Sequence, residues 1–99
     1  MTQQAQVIPI DFPSNLKGGV YCNHMVVGHT KEEFITDFMM VAQVAGAVTA
    51  RVIISPGHMK RIINTLQKNL EKYESKFGSI EPAEEPAKGK IGFPAPSTQ

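Results

Sequence analysis

Residues 47–78, AVTARVIISPGHMKRIINTLQKNLEKYESKFG, decide the fold, because they predict a strand followed at once by one long amphipathic helix. After Ser55 and Pro56, apolar residues recur every three or four positions, which is the period of a helix with one apolar face. Serine accepts backbone amide protons at a helix start and proline at the first position has none to satisfy, whereas Gly78 is typical of a helix end. The predicted apolar face comprises Met59, Ile62, Ile63, Leu66, Leu70, Tyr73 and Phe77.

Three strands are predicted before this helix. β-Branched and aromatic residues alternate along residues 20–30 and 33–41, and residues 47–54 show the same alternation. A helix over residues 31–45, capped by Thr30, is the competing interpretation of the middle segment. The expected fold is α+β: a three-stranded antiparallel meander packed on one long C-terminal helix, with a fourth edge strand if residues 7–12 dock beside the sheet.

A hairpin centred on Val44 sets the expected register between the second and third strands. The pairs on the sheet face under the helix would be Phe34 with Ile54, Thr36 with Val52, Phe38 with Ala50 and Met40 with Val48. On the opposite face they would be Asp37 with Arg51, Ile35 with Ile53 and Met39 with Thr49. The first of these would be an exposed ion pair, a kind that stabilises a fold little.

The chain has 99 residues, which is enough for one domain with a thin margin of stability. The predicted organisation is a flexible N-terminal arm over residues 1–19, a single domain over 20–78 and a disordered, solvated tail over 79–99. Cys22 is the only cysteine, so no intrachain disulfide can form and a reducing, cytoplasmic setting is expected. We find no export signal and no stretch apolar enough to span a membrane.

Short motifs within residues 20–80 resemble a bacterial and archaeal family known as domain of unknown function 3467. They are Tyr21 and Asn23 in the first strand, His29, Thr30 and Phe34 around the following turn, Asp37 and Phe38, and Ser55, Pro56, His58, Lys60 and Arg61 at the helix start. The resemblance implies a compact strand-rich domain closed by a long helix, and it implies no activity. Thr36 stands where the resemblance leads us to expect a bulkier apolar residue.

Groups suited to catalysis or metal binding are few. Donor atoms for zinc are present on Cys22, His24, His29 and His58, but there is no second cysteine pair and the four do not share one strand face. Ser55 is expected to cap the helix, and no neighbouring base and acid mark it as a nucleophile. The sequence therefore predicts no enzyme, no metal site and no cofactor.

The charge balance argues against a dedicated nucleic-acid-binding protein, because 10 lysine and arginine residues oppose 9 aspartate and glutamate residues, for a net charge of +1. A weaker signal lies on the helix, where free amides and basic side chains could bind an anion or nucleic-acid phosphates. The candidate contacts are His58, Lys60, Arg61, Lys68 and Lys72.

One helix can cover only one face of a sheet, so the apolar residues of the other face need a partner. The predicted self-association face comprises Tyr21, Met25, Val27, Ile35, Met39, Val41 and Ile53. The sequence thus predicts a small non-catalytic, homo-oligomeric interaction module, a dimer first, with tails that recruit an unknown protein partner. Two alternatives are a chaperone-like binder of extended peptides and a non-specific nucleic-acid or anion binder that uses the basic helix.

Overall fold

The computed structural model describes residues 6–93. A single 3₁₀ turn at Ser14–Leu16 precedes strands β1 (His24–His29), β2 (Phe34–Val41) and β3 (Gly46–Ile54), and helix α1 (Pro56–Phe77) follows. The strands form one antiparallel sheet in the order β1-β2-β3. The predicted α+β architecture, a three-stranded meander followed by one long helix, is therefore confirmed, and the middle segment is a strand rather than the competing helix.

The register of β2 and β3 follows the prediction from Phe34 opposite Ile54 to Phe38 opposite Ala50. A β-bulge then shifts it, so that Met39 and not Met40 lies opposite Val48, and the last two predicted pairs are wrong. Thr49 is the extra residue, and its hydroxyl donates a hydrogen bond to the Phe38 carbonyl oxygen at 3.1 Å. The bulge thus keeps a polar side chain of β3 bonded within the sheet.

Gly46 closes this hairpin where the two backbones approach each other. A Cβ atom there would lie 2.8 Å from the Met40 carbonyl oxygen, whereas a Cβ at Gly28 in β1 would meet nothing within 4 Å. We expect Gly46→Ala to lower the free energy of unfolding by about 1 to 3 kcal/mol, the usual cost of forcing atoms into a packed site. Gly28→Ala is the matched control, and equal urea midpoints for the two variants would contradict the prediction.

Helix α1 begins and ends at the residues that the sequence marks. The Ser55 hydroxyl oxygen accepts a hydrogen bond from the His58 backbone N–H at 3.3 Å, and Pro56 occupies the first helical position. At the other end Gly78 adopts a φ of 97° and donates its N–H to the Glu74 carbonyl oxygen at 2.8 Å. The 22 residues of the helix span about 33 Å.

The structure differs from the expectation that α1 lies along the sheet. In residues 6–93 the contacts between elements join β1 to β2 and β2 to β3, and α1 makes no comparable contact with any strand. Met59 and Ile62, in the first two turns, are partly buried, and the rest of the apolar face is exposed. The physical reason is the connection: Ser55 alone links Ile54 to Pro56, and one residue cannot reverse the chain and cross the roughly 10 Å to a second layer.

Within the described residues, the terminal segments add no strand to the sheet, and part of the C-terminal segment is buried. Val7, Ile8, Ile10 and Phe12 are exposed and form no strand, so the sheet has no fourth strand within residues 6–93. At the other end, Ala87 is buried and Pro86 and Ile91 are partly buried, whereas the sequence predicts a solvated tail here. The first five residues of the predicted arm and the last six of the predicted tail lie outside the described residues.

Candidate interaction surface

Asp37, in the central strand β2, forms a bidentate ion pair with Arg51 of β3. The Arg51 Nε and Nη2 atoms donate to Asp37 Oδ1 and Oδ2 at 2.7 and 2.9 Å. These hydrogen bonds, aided by the charge of Arg51, lower the pKa of the Asp37 carboxyl, against a smaller opposing effect of burial. The same bonds raise the pKa of the Arg51 guanidinium. Both groups are thus charged at neutral pH and bound to each other.

The two side chains of the ion pair differ in solvent exposure, whereas the sequence predicts that both are exposed. The Asp37 side chain is 5% exposed and the Arg51 side chain is 57% exposed. Next to it, Thr36 is buried on the opposite face, and its hydroxyl donates to the Val52 carbonyl oxygen at 2.7 Å. A hydroxyl that binds the neighbouring strand explains why a polar residue fits where a bulkier apolar one was expected.

Two further motif residues have structural roles. The Asn23 side chain continues the ladder beyond β1, because its Nδ2 donates to the Val41 carbonyl oxygen at 2.9 Å and its Oδ1 accepts the Val41 N–H at 2.8 Å. The Thr30 hydroxyl oxygen accepts the N–H groups of Glu32 and Glu33 at 3.1 and 3.2 Å in the β1–β2 turn. The strand alternation predicts neither role, although asparagine and threonine side chains often bind neighbouring backbone groups.

The predicted self-association residues do not share one face. Met25 lies opposite Phe38 and Val27 lies opposite Thr36, so these two β1 residues share the face of Phe38. The face of Asp37 instead carries Ile35, Met39, Val41 and Ile53 from the predicted set, joined by His24 and Val26. Tyr21 precedes β1 and is exposed. The four-residue turn from Thr30 to Glu33 determines which β1 residues lie on the same face as Asp37. Strand alternation alone does not predict this register between β1 and β2.

The C-terminal segment covers one end of the Asp37 face. Residues 87–93, except Lys88, line a cavity of about 370 Å³ together with Met39 and the β2–β3 hairpin. Glu85 Oε2 lies 3.5 Å from His24 Nδ1 at the edge of the same face. Met39 is accordingly buried, whereas Ile53 at the other end is exposed. The segment therefore covers part of the apolar surface that a partner was expected to cover.

An uncovered apolar surface lies on α1. We define the α1 stripe as Ile63, Leu66, Leu70, Tyr73 and Phe77, all of which are exposed. Leu66 and Phe77 are 63% and 66% exposed, respectively. The rings of Tyr73 and Phe77 lie 4.9 Å apart between centroids, and Lys76 Nζ lies 5.4 Å from the Phe77 ring centroid. Exposed aromatic residues in mutual contact, beside exposed leucines, form the kind of patch that marks a protein interface.

The basic residues of α1 do not converge on one pocket. Arg61, Lys68 and Lys72 lie on the side of the helix away from the α1 stripe, whereas His58 and Lys60 lie on the two opposite flanks of the stripe. His58 and Arg61 line an open cavity of about 270 Å³ with Ile62, Thr65 and Leu66. No further observation points to an anion there, and binding of anions or nucleic acid stays a prediction.

Metal-binding groups are also dispersed. Within residues 6–93 no three histidine, cysteine, aspartate or glutamate side chains lie close enough together to hold a metal ion. Cys22 is exposed and unpaired. In the same part of the chain, no helix has the length and apolar character needed to cross a membrane.

The fold and the surface define a class of small α+β proteins in which an open sheet carries a long helix with an uncovered apolar face. The chain belongs to the family described as a protein of unknown function, DUF3467, whose model matches residues 1–82. The resemblance seen in the motifs is confirmed, and the match includes the N-terminal segment but not the segment from Pro86 to Ile91. No curated protein and no solved structure gives a significant match.

Proposed function

We propose that this protein is a small non-catalytic interaction module that acts as a homo-oligomer, with a dimer as its basic unit. The observation that carries the proposal is the exposed α1 stripe on a helix that its own sheet does not cover. Moving a leucine, isoleucine or phenylalanine side chain from water into an interface is favourable by about 1.5 to 3 kcal/mol. A second copy of the chain supplies an equal surface, and two-fold symmetry is the commonest arrangement of such pairs.

The polar groups support a non-catalytic role. Asp37 and Arg51 bind each other, Ser55 caps the helix, and Asn23 and Thr30 bind backbone groups. Each of these side chains therefore has a structural partner. The exposed Cys22 thiol suits a reducing compartment such as the cytoplasm.

A chaperone-like binder of extended peptides would use the same apolar surface, and concentration dependence separates the two functions. A homo-oligomer buries the α1 stripe in its own partner, whereas a peptide binder leaves it accessible at rest. We expect light scattering of the full chain to give twice the monomer mass of 10.8 kDa at micromolar concentration. The mass should persist in about 1 M salt, where surface charge attraction is largely screened.

The outcome that would contradict the proposal is a monomer mass across the whole concentration series. A monomer that suppresses aggregation of an unfolded test protein would instead establish the chaperone-like alternative. Binding of a labelled nucleic acid that falls steeply with added salt would establish the third class of function.

A further inference from the structure

The apolar positions of α1 follow a heptad pattern. Successive residues of the seam lie alternately four and three positions apart, in the order Met59, Ile63, Leu66, Leu70, Tyr73 and Phe77. Spacing of this kind over three heptads is typical of a helix that packs along another helix, whereas a helix that covers a sheet usually has a wider apolar face. From Ile63 onward the seam is the exposed α1 stripe. The pattern therefore selects a helix as the occupant of this surface.

The charged residues beside the seam favour a second α1 helix as the partner and an antiparallel orientation of the two helices. Lys60 and Glu74 follow Met59 and Tyr73, so both occupy the same flank of the seam. In an antiparallel pair of α1 helices from two copies, this flank faces itself, and Lys60 of each copy meets Glu74 of the other. In a parallel pair, the facing flank positions within the helix bring together no opposite charges, since Ile62 meets Gln67 and Asn69 meets Glu74. Charge complementarity is therefore present in one orientation only.

We propose that two copies of this chain pair through an antiparallel coiled coil of their α1 helices, centred near Lys68. This inference rests on the proposed function and specifies its interface. The layers of the coiled coil are Met59 against Phe77, Ile63 against Tyr73 and Leu66 against Leu70, each occurring twice by symmetry. Met59 lies in the first turn after the sheet, so Phe77 of each copy packs beside the sheet of the other.

Both ions are placed to form the pairs. Lys60 is exposed, and Glu74 is half-buried with Oε2 accepting the Ile80 N–H at 2.9 Å. The carboxylate has a second oxygen that can accept from the lysine of the other copy. The two pairs lie at the ends of the coiled coil, next to the two sheets, and so they fix the register of the helices as well as their direction.

Charge exchange tests the orientation. We expect Lys60→Glu and Glu74→Lys each to raise the dimer Kd about tenfold, because each change replaces two attractions with two repulsions. The double variant should return to the Kd of the unchanged chain, and a mixture of the two single variants should form heterodimers preferentially. Lys68→Glu and Glu71→Lys, on the polar side of α1, are matched controls that should leave the Kd unchanged.

Distances between labels test the same inference independently. In a Cys22→Ser background, labels at Arg61→Cys and at Lys68→Cys would report the separation between copies. The pair at 61 should be farther apart than the pair at 68, because its two positions differ by about 21 Å along the axis. Equal separations at both positions would establish a parallel pair and overturn the inference.

A dimer in which the charge exchanges have no effect and the label separations do not increase from 68 to 61 overturns the antiparallel coiled coil but leaves the proposed function standing. A monomer overturns both. These outcomes separate failure of the interface from failure of the homo-oligomer.

Discussion

A chain carrying Leu66→Asp and Leu70→Asp is expected to be monomeric at concentrations at which the unchanged chain is a dimer. These two residues form the central layers of the α1 stripe, and both are exposed in the single chain. The substitutions therefore remove four leucines from the interface of a dimer while removing no buried side chain from the monomer. With about 1.5 kcal/mol for each leucine and tenfold in Kd for each 1.4 kcal/mol, the Kd should rise by about 10,000-fold.

The control for this double variant is Lys68→Asp with Lys72→Asp on the polar side of α1. It introduces the same number of aspartates into the same helix and should leave the dimer mass unchanged in light scattering. The sheet should stay folded in both variants, because α1 makes no extended contact with it. Circular dichroism checks this. A dimer that survives the leucine substitutions would show that α1 is not the interface.

Arg51→Met is expected to destabilise the fold more than Asp37→Asn does, and to reverse how stability depends on pH at the acid end. The reason is the unequal exposure of the two partners: without Arg51 a nearly buried carboxylate has no counter-ion, whereas without Asp37 the arginine remains mostly in water. We expect Arg51→Met to lower Tm at neutral pH by several degrees. Arg61→Met, an exposed arginine on α1, is the matched control.

The pH dependence follows from the direction of the pKa shift. In the unchanged chain the folded pKa of Asp37 lies below its unfolded value. The contribution to stability is therefore complete above the ordinary aspartate pKa of about 3.9 and is lost as pH falls through the folded pKa. In Arg51→Met only burial remains, which raises the folded pKa, so stability is lost as pH rises above about 3.9. Thermal unfolding from about pH 3 to 7 measures both, and parallel profiles would contradict the prediction.

Four of the motif residues form structural hydrogen bonds or ion pairs in this protein. Asn23 extends the ladder, Thr30 closes a turn, Asp37 binds Arg51 and Ser55 caps α1. These contacts join the strands of the sheet and cap the start of the helix that follows it. These motif residues thus have structural roles in the sheet and at the start of α1.

The sequence by itself determined the elements that depend on neighbouring residues. The bounds of α1 follow from Ser55, Pro56 and Gly78, and the strands follow from the alternation of β-branched and aromatic residues. The predicted pairing of Asp37 with Arg51 is also observed, in the part of the ladder from Phe34 to Phe38 where the register is regular. Local hydrogen bonds and side-chain period suffice for all of these.

Only the tertiary structure decided how the elements lie relative to one another. The bulge at Thr49 and the turn after Thr30 determine which side chains share a face, and each depends on backbone geometry that the alternation of residues does not encode. The one-residue link at Ser55 keeps α1 from folding back, so an apolar helix face that predicts a core instead lies exposed. An amphipathic pattern predicts that the apolar face of a helix packs against another element. The length and geometry of the connections determine whether that element can come from the same chain.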